Sequence, residues 1–113
     1  MTVLVHAEVH GLAGRAGDLR ELLQLHAARL STAQGNLAAN PYEPIAGEPG
    51  EFVLDTWWRD GQALRAHYGT PDYAAYAQRI AELLARPSDV TIHMIERSYR
   101  PKGDLSMDPI RQD

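Results

Sequence analysis

Hydrophobic and polar residues alternate from the start of the chain. In TVLVHAEVH, Val3, Val5, Ala7 and Val9 fall on one side of an extended segment and Leu4, His6, Glu8 and His10 on the other. That period of two predicts a strand. After Gly11 and Gly14, the residues Leu19, Leu22, Leu23, His26, Ala27 and Leu30 recur at spacings of three and four, which predicts an amphipathic helix over roughly 15 to 32. The stretch GNLAANPYEPIAGEPG carries prolines at 41, 44 and 49, so any strand there is short or bent and lies at a sheet edge.

The strongest strand pattern is GEFVLDTWW. Phe52, Leu54, Thr56 and Trp58 share one face, and Glu51, Val53, Asp55 and Trp57 the other. Asp60 or a neighbour is placed to cap a helix running to about 68. Thr70, Pro71 and Asp72 supply an N-cap, a first-position proline and an acid in the first turn, the signals of a helix start. This helix is expected to turn Tyr73, Tyr76, Ala77, Ile80, Leu83 and Leu84 inward and to end near Arg86 and Pro87. Val90, Ile92 and Met94 then alternate with Thr91, His93 and Ile95 in a last strand, and RPKGDLSMDPIRQD is expected to be an extended tail. Residues 1–99 therefore form one domain and 100–113 a tail whose Leu105, Met107 and Ile110 suit packing on a second subunit.

Strand, helix, two strands, helix, strand is the order of a ferredoxin-like split βαβ domain in the α+β class, with an antiparallel sheet. Its helices cover one sheet face. The other carries Leu4, Val53, Trp57 and Ile95, apolar surface that a sheet-to-sheet homodimer would cover.

Composition narrows the setting. The chain has 113 residues, 44% hydrophobic and 23% charged, the mix of one folded domain. A formal charge of −4 argues against a nucleic-acid partner. Cysteine is absent, which removes disulfides and thiolate chemistry and fits a reducing compartment. MTVLVHAEVHG lacks the form of a secretion signal, and no run approaches the roughly 18 apolar residues of a membrane span. A cytoplasmic protein without a membrane partner is expected.

Candidate chemistry gathers around the adjacent tryptophans. Trp58, on the helix-facing side, joins Tyr73 and Tyr76 of the second helix and Leu22 and His26 of the first in a prospective pocket wall. His67 lies at one end of it, with an ordinary pKa near 6.5 that suits a general base. The plainer readings are core aromatics, a structural histidine, and turn roles for Asn36 and Asn40. His6, Glu8 and His10 share a strand face at alternate positions, with His93 able to join from the last strand. That set is expected to form a polar seam rather than a metal site, and no metal is assigned.

The segment WRDGQALRAHYGTPDY at 58–73 resembles the signature of the antibiotic biosynthesis monooxygenase domain: a Trp-x-Asp, an Ala-Leu pair, a His and a Thr-Pro-aromatic. With the order of elements, the resemblance spans about residues 2 to 99. It implies a dimeric α+β barrel with a ligand cavity between sheet and helices in each subunit. Enzymes of this family oxidise anthrone-like polyketides to quinones with molecular oxygen, which implies a small aromatic substrate and no cofactor. On this reading His67, Trp58 and Tyr73 carry the catalysis, and Tyr76, His26, Leu22, Asn40 and Phe52 contact the substrate. Where some members carry an asparagine on the first strand, this chain has Ala7 and Glu8. Haem-degrading relatives place an iron-binding histidine where this chain has Ala77. Two other functions use the same cavity: a non-catalytic ligand-binding dimer, and a cyclase or isomerase with a histidine base.

Overall fold

A computed structural model describes residues 1–101 and 107–110. The elements are β1 (Thr2–His10), α1 (Ala16–Leu30), β2 (Asn36–Tyr42), β3 (Glu51–Trp58), α2 (Gly61–Tyr68), α3 (Pro71–Ala81), β4 (Asp89–Ile95), β5 (Ser98–Pro101) and β6 (Met107–Ile110). The first four strands form an antiparallel sheet in the order β2-β3-β1-β4, the expected ferredoxin-like α+β arrangement.

The expected faces hold in β3, where Phe52, Leu54, Thr56 and Trp58 are buried and the residues between them half-buried. β2 takes the edge beside β3, which tolerates Pro41, and its register shifts between Asn36 and Ala38. The asparagines expected in turns thus lie on a bulged edge strand. Asn36 Nδ2 donates to the carbonyls of Ala38 and Trp57, both at 3.3 Å.

Two helices stand between β3 and β4. They are separate because Thr70 is extended (φ −83°, ψ 150°), as a residue before proline prefers. α3 stops at Ala81, short of the expected Arg86. The chain instead pairs with the end of β1: Leu12 N donates to Leu83 O and Ala85 N to His10 O, each at 2.8 Å.

In the C-terminal segment, expected to be extended, Ser98–Pro101 pair antiparallel with Met107–Ile110 as a two-stranded ribbon. Leu105 lies outside the described residues.

The apolar core has two parts. One joins Val9, Leu19, Leu23, Phe52, Leu54, Ile80 and Leu83; the other joins Val3, Val5, Leu30, Trp58, Ala63 and Leu64. Members of both line the space between sheet and helices, and that space is the candidate site.

Candidate functional site

Local hydrogen bonding explains how the aromatic side chains converge. β3 delivers Trp58 to its end, where the side chain is 1% exposed. The buried Thr56, two residues earlier on the same face, accepts a hydrogen bond from Trp58 Nε1 at 3.0 Å, so the indole N–H is satisfied away from water. Asp60 caps α2 by accepting from Ala63 N at 2.8 Å, and that bond holds its carboxyl below the usual carboxylate range.

Thr70 couples the two helices. Its hydroxyl donates to the carbonyl of His67 at 2.7 Å and accepts from Tyr73 N at 3.2 Å. His67, in the last turn of α2, is thereby tied to Tyr73, in the first turn of α3.

Gly35 lets α2 sit close. It adopts φ +81°, and a β-carbon there would stand 2.5 Å from Ala63 Cβ. Its carbonyl accepts from Arg59 N at 2.8 Å, which fixes the turn out of β3.

The result is an aromatic cluster on one wall of a cavity of about 620 Å³. His67 stacks on Trp58 with ring centroids 4.8 Å apart and meets Tyr73 edge-on at 5.3 Å. His26 stacks on Tyr76 at 3.5 Å and lies 6.1 Å from His67. Tyr68, which the sequence reading passed over, packs on Tyr73 at 4.8 Å. Val5, Leu54, Leu64 and Ile80 supply apolar wall elsewhere.

Five of the eight residues expected at the site line this cavity: His67, Trp58, Tyr73, Tyr76 and His26. The other three do not. Leu22 and Phe52 pack in the first core cluster, with Val9, Leu19, Leu23 and Leu83. Asn40 pairs with Asp55 in register on the uncovered sheet face, since the bulge at Asn36 and Ala38 sets which β2 residues share that face. Thr56 was legible from the two-residue period it shares with Trp58.

Burial governs the protonation of the cluster. The His26 pKa is pushed down to about 4, first by burial and then by the nearby His67 and Arg29. His67 is lowered by burial and partly restored by the Asp72 carboxylate. Burial, with the neighbouring Tyr73, raises the phenols of Tyr68 and Tyr76. At neutral pH the site therefore offers neutral imidazoles as proton acceptors and the Tyr68 and Tyr76 hydroxyls as donors.

A second, smaller cavity of about 290 Å³ abuts the first. His26, Leu30 and His67 line both. Arg29, Thr32, Gln34, Thr70 and Asp72, beside Leu30, Ala33 and Ala66, make the smaller one more polar than the first.

On the uncovered sheet face His6, Glu8 and His10 join a polar seam, with His6 Nε2 at 3.7 Å from Glu8 Oε1 and His10 Nε2 at 3.2 Å from Asp89 Oδ2. His6 Nδ1 pairs with Asp55 Oδ1 at 2.6 Å. Glu8, His10 and Asp89 bring their ligand atoms within 4.8 Å of one another. The His10 ring also meets Arg86 Nη2 at 3.1 Å, and a guanidinium there opposes a metal cation. His93 is not part of that group.

Comparisons with known proteins agree with this architecture. Residues 2–79 match the family model described as antibiotic biosynthesis monooxygenase. The protein Rv0793 of Mycobacterium tuberculosis is 36% identical over 74 residues, covering 66% of this chain and 71% of that protein. Its solved structure superimposes with a TM-score of 0.77 at 30% identity, over 84% of this chain and 95% of the other. A Deinococcus radiodurans structure, described by the same family name, gives 0.82 at 22% identity, over 89% and 99%. An asparagine-to-alanine variant of SnoaB, a cofactor-independent oxygenase from Streptomyces nogalater, gives 0.76 at 14% identity, over 86% and 95%. The last two likenesses concern the fold alone.

Proposed function

This chain belongs to the antibiotic biosynthesis monooxygenase family, and from that premise we propose that it oxidises a polycyclic, anthrone-like aromatic to a quinone with molecular oxygen and without a cofactor. The observation that carries the reading is the His67 imidazole, stacked on buried Trp58 at the wall of a largely apolar cavity and kept neutral by that burial. SnoaB, of the same fold, is a cofactor-independent oxygenase.

The chemistry suits these groups. His67 takes a proton from the activated methylene of the substrate, leaving a delocalised carbanion. Electron transfer to oxygen and recombination form a carbon–oxygen bond at that carbon, giving a peroxide. The Tyr68 and Tyr76 hydroxyls are the available donors to it. Loss of the second methylene hydrogen and cleavage of the oxygen–oxygen bond release water and leave the new carbonyl. One oxygen molecule yields one quinone oxygen and one water. The aromatic walls hold the flat rings and exclude bulk water from the carbanion.

The working unit is a homodimer. Leu4, Val53, Trp57 and Ile95 lie half-buried on the sheet face that the helices leave uncovered, and a second copy packed there would remove them from water. On the β5–β6 ribbon Ile110, 40% exposed, offers such a copy apolar contact.

Oxygen uptake with an anthrone tests the reaction. Wild type should consume oxygen and form anthraquinone, and His67→Ala should fall to the background rate. Equal rates in the two proteins reject His67 as the base. No uptake by wild type, with the anthrone bound, favours a binding or isomerase role instead.

A further inference from the structure

The two cavities meet at a wall made of His26, Leu30 and His67. The sides of that wall differ. Toward the sheet the surroundings are mainly aromatic and aliphatic; on the other side, beside Ala33 and Ala66, they include Arg29, Thr32, Gln34, Thr70 and Asp72, groups that hold water. An aromatic ligand large enough to fill the first cavity blocks that route to solvent. A base enclosed there needs another.

We infer that the smaller cavity is a solvent port for His67, through which the ring exchanges protons with water while a flat ligand occupies the larger cavity, and that Asp72 is the positioning residue for the charged ring. The proposal rests on His67 acting as the base. An imidazole has two ring nitrogens, so one can receive a proton on the ligand side while the other releases one on the water side. Over the cycle one proton leaves by the port and one returns to the peroxide oxygen, so the proton count closes at zero.

The charges around the ring fit that direction of travel. From α1 come His26, with its ring centroid 6.1 Å away, and Arg29; Tyr68 on α2 and Tyr73 and Tyr76 on α3 are phenols; β3 contributes the indole of Trp58. Among the described residues Asp72 is the one carboxylate lining the smaller cavity, and its charge favours the protonated ring.

Accessibility can be measured without turnover. Diethyl pyrocarbonate modifies neutral imidazole, and peptide mass spectrometry locates the adduct. With the larger cavity filled by a water-soluble anthraquinone sulfonate, His67 of wild type should still be modified. In filled Ala66→Phe, which adds bulk to the smaller cavity from an exposed helix position, modification should be lost, while the unfilled variant still reacts and melts as wild type does. Protection of His67 in the filled wild type overturns the port, as does undiminished modification in filled Ala66→Phe.

A second measurement needs no ligand. NMR titration of the His67 ring should give a lower midpoint in Asp72→Asn than in wild type, and an unchanged midpoint rejects the role of Asp72. Loss of activity in His67→Ala bears on the base itself, so the two ideas fail separately.

Discussion

The His26 and Tyr76 rings lie face to face, centroids 3.5 Å apart and 6° from parallel. That packing leaves His26 only 8% exposed and makes its protonation unfavourable. The folded-state pKa of about 4 lies below the ordinary 6.5, so the unfolded chain binds this proton more readily than the folded one. Above pH 6.5 neither state is protonated and stability is unaffected. As pH falls from 6.5 toward 4 stability is lost, and below 4 the loss levels off. A shift of this size corresponds to about 3 kcal/mol. The difference between urea midpoints of wild type and His26→Phe should be constant above pH 6.5 and shift in favour of the variant on acidification, because wild type loses more.

Thr56 and Trp58 provide a test of satisfied burial. Thr56→Val keeps the shape but removes the acceptor of the indole N–H. Since both side chains are buried, the stranded donor should cost about 1–3 kcal/mol. Trp58→Phe, which removes the donor, leaves Thr56 able to find another partner. In the double variant the costs should be less than additive, and denaturation of all four proteins measures the coupling.

Gly35 sits where two constraints coincide: a left-handed backbone and contact with Ala63. Gly35→Ala should destabilise by about 1–3 kcal/mol and loosen α2, which carries His67. A double variant with Ala63→Gly should recover only the part due to contact, because the backbone strain remains. Thermal melts of the three variants separate the two contributions.

The parts of this arrangement legible in the sequence depend on local patterns. The period of two in GEFVLDTWW put Trp57 and Trp58 on opposite faces, and Thr70-Pro71 marked the start of α3 before any tertiary contact was known. Asp60 likewise announced α2. What escaped the sequence depends on long-range pairing. Nothing near Ala81 signals that the chain must leave the helix for the end of β1. The bulge at Asn36 and Ala38 that sends Asn40 to the uncovered face arises from pairing with β3. Phe52 has the face expected of a pocket residue, yet its position along β3 puts it in solid core, and strand alternation does not distinguish the two.

The adjacent tryptophans should answer differently to substitution. Trp57 is half-buried on the face assigned to the second copy, whereas Trp58 is enclosed against His67. Trp57→Ala should weaken the dimer in sedimentation while leaving aromatic binding per subunit intact. Trp58→Phe should remain dimeric and bind a polycyclic ligand more weakly. The reverse pattern would place the contact surface on the helix side.

On the proposed mechanism His67 sets the acid limb of the reaction, because only its neutral ring accepts a proton. Burial disfavours the cation, and Asp72 offsets part of that effect, leaving the ring below its ordinary value of 6.5. Lowering the pH through 6.5 should therefore leave most of the activity in place, with the decline coming at more acidic pH. His26, lowered to about 4, is itself neutral as the pH first falls below 6.5. The profile of kcat/KM against pH should show its acid-side midpoint below 6.5. It should move further toward acid in Asp72→Asn, since removing the carboxylate takes away the attraction that favoured the cation. A midpoint above 6.5 in wild type, or a shift toward higher pH in Asp72→Asn, contradicts the assignment of this limb to His67.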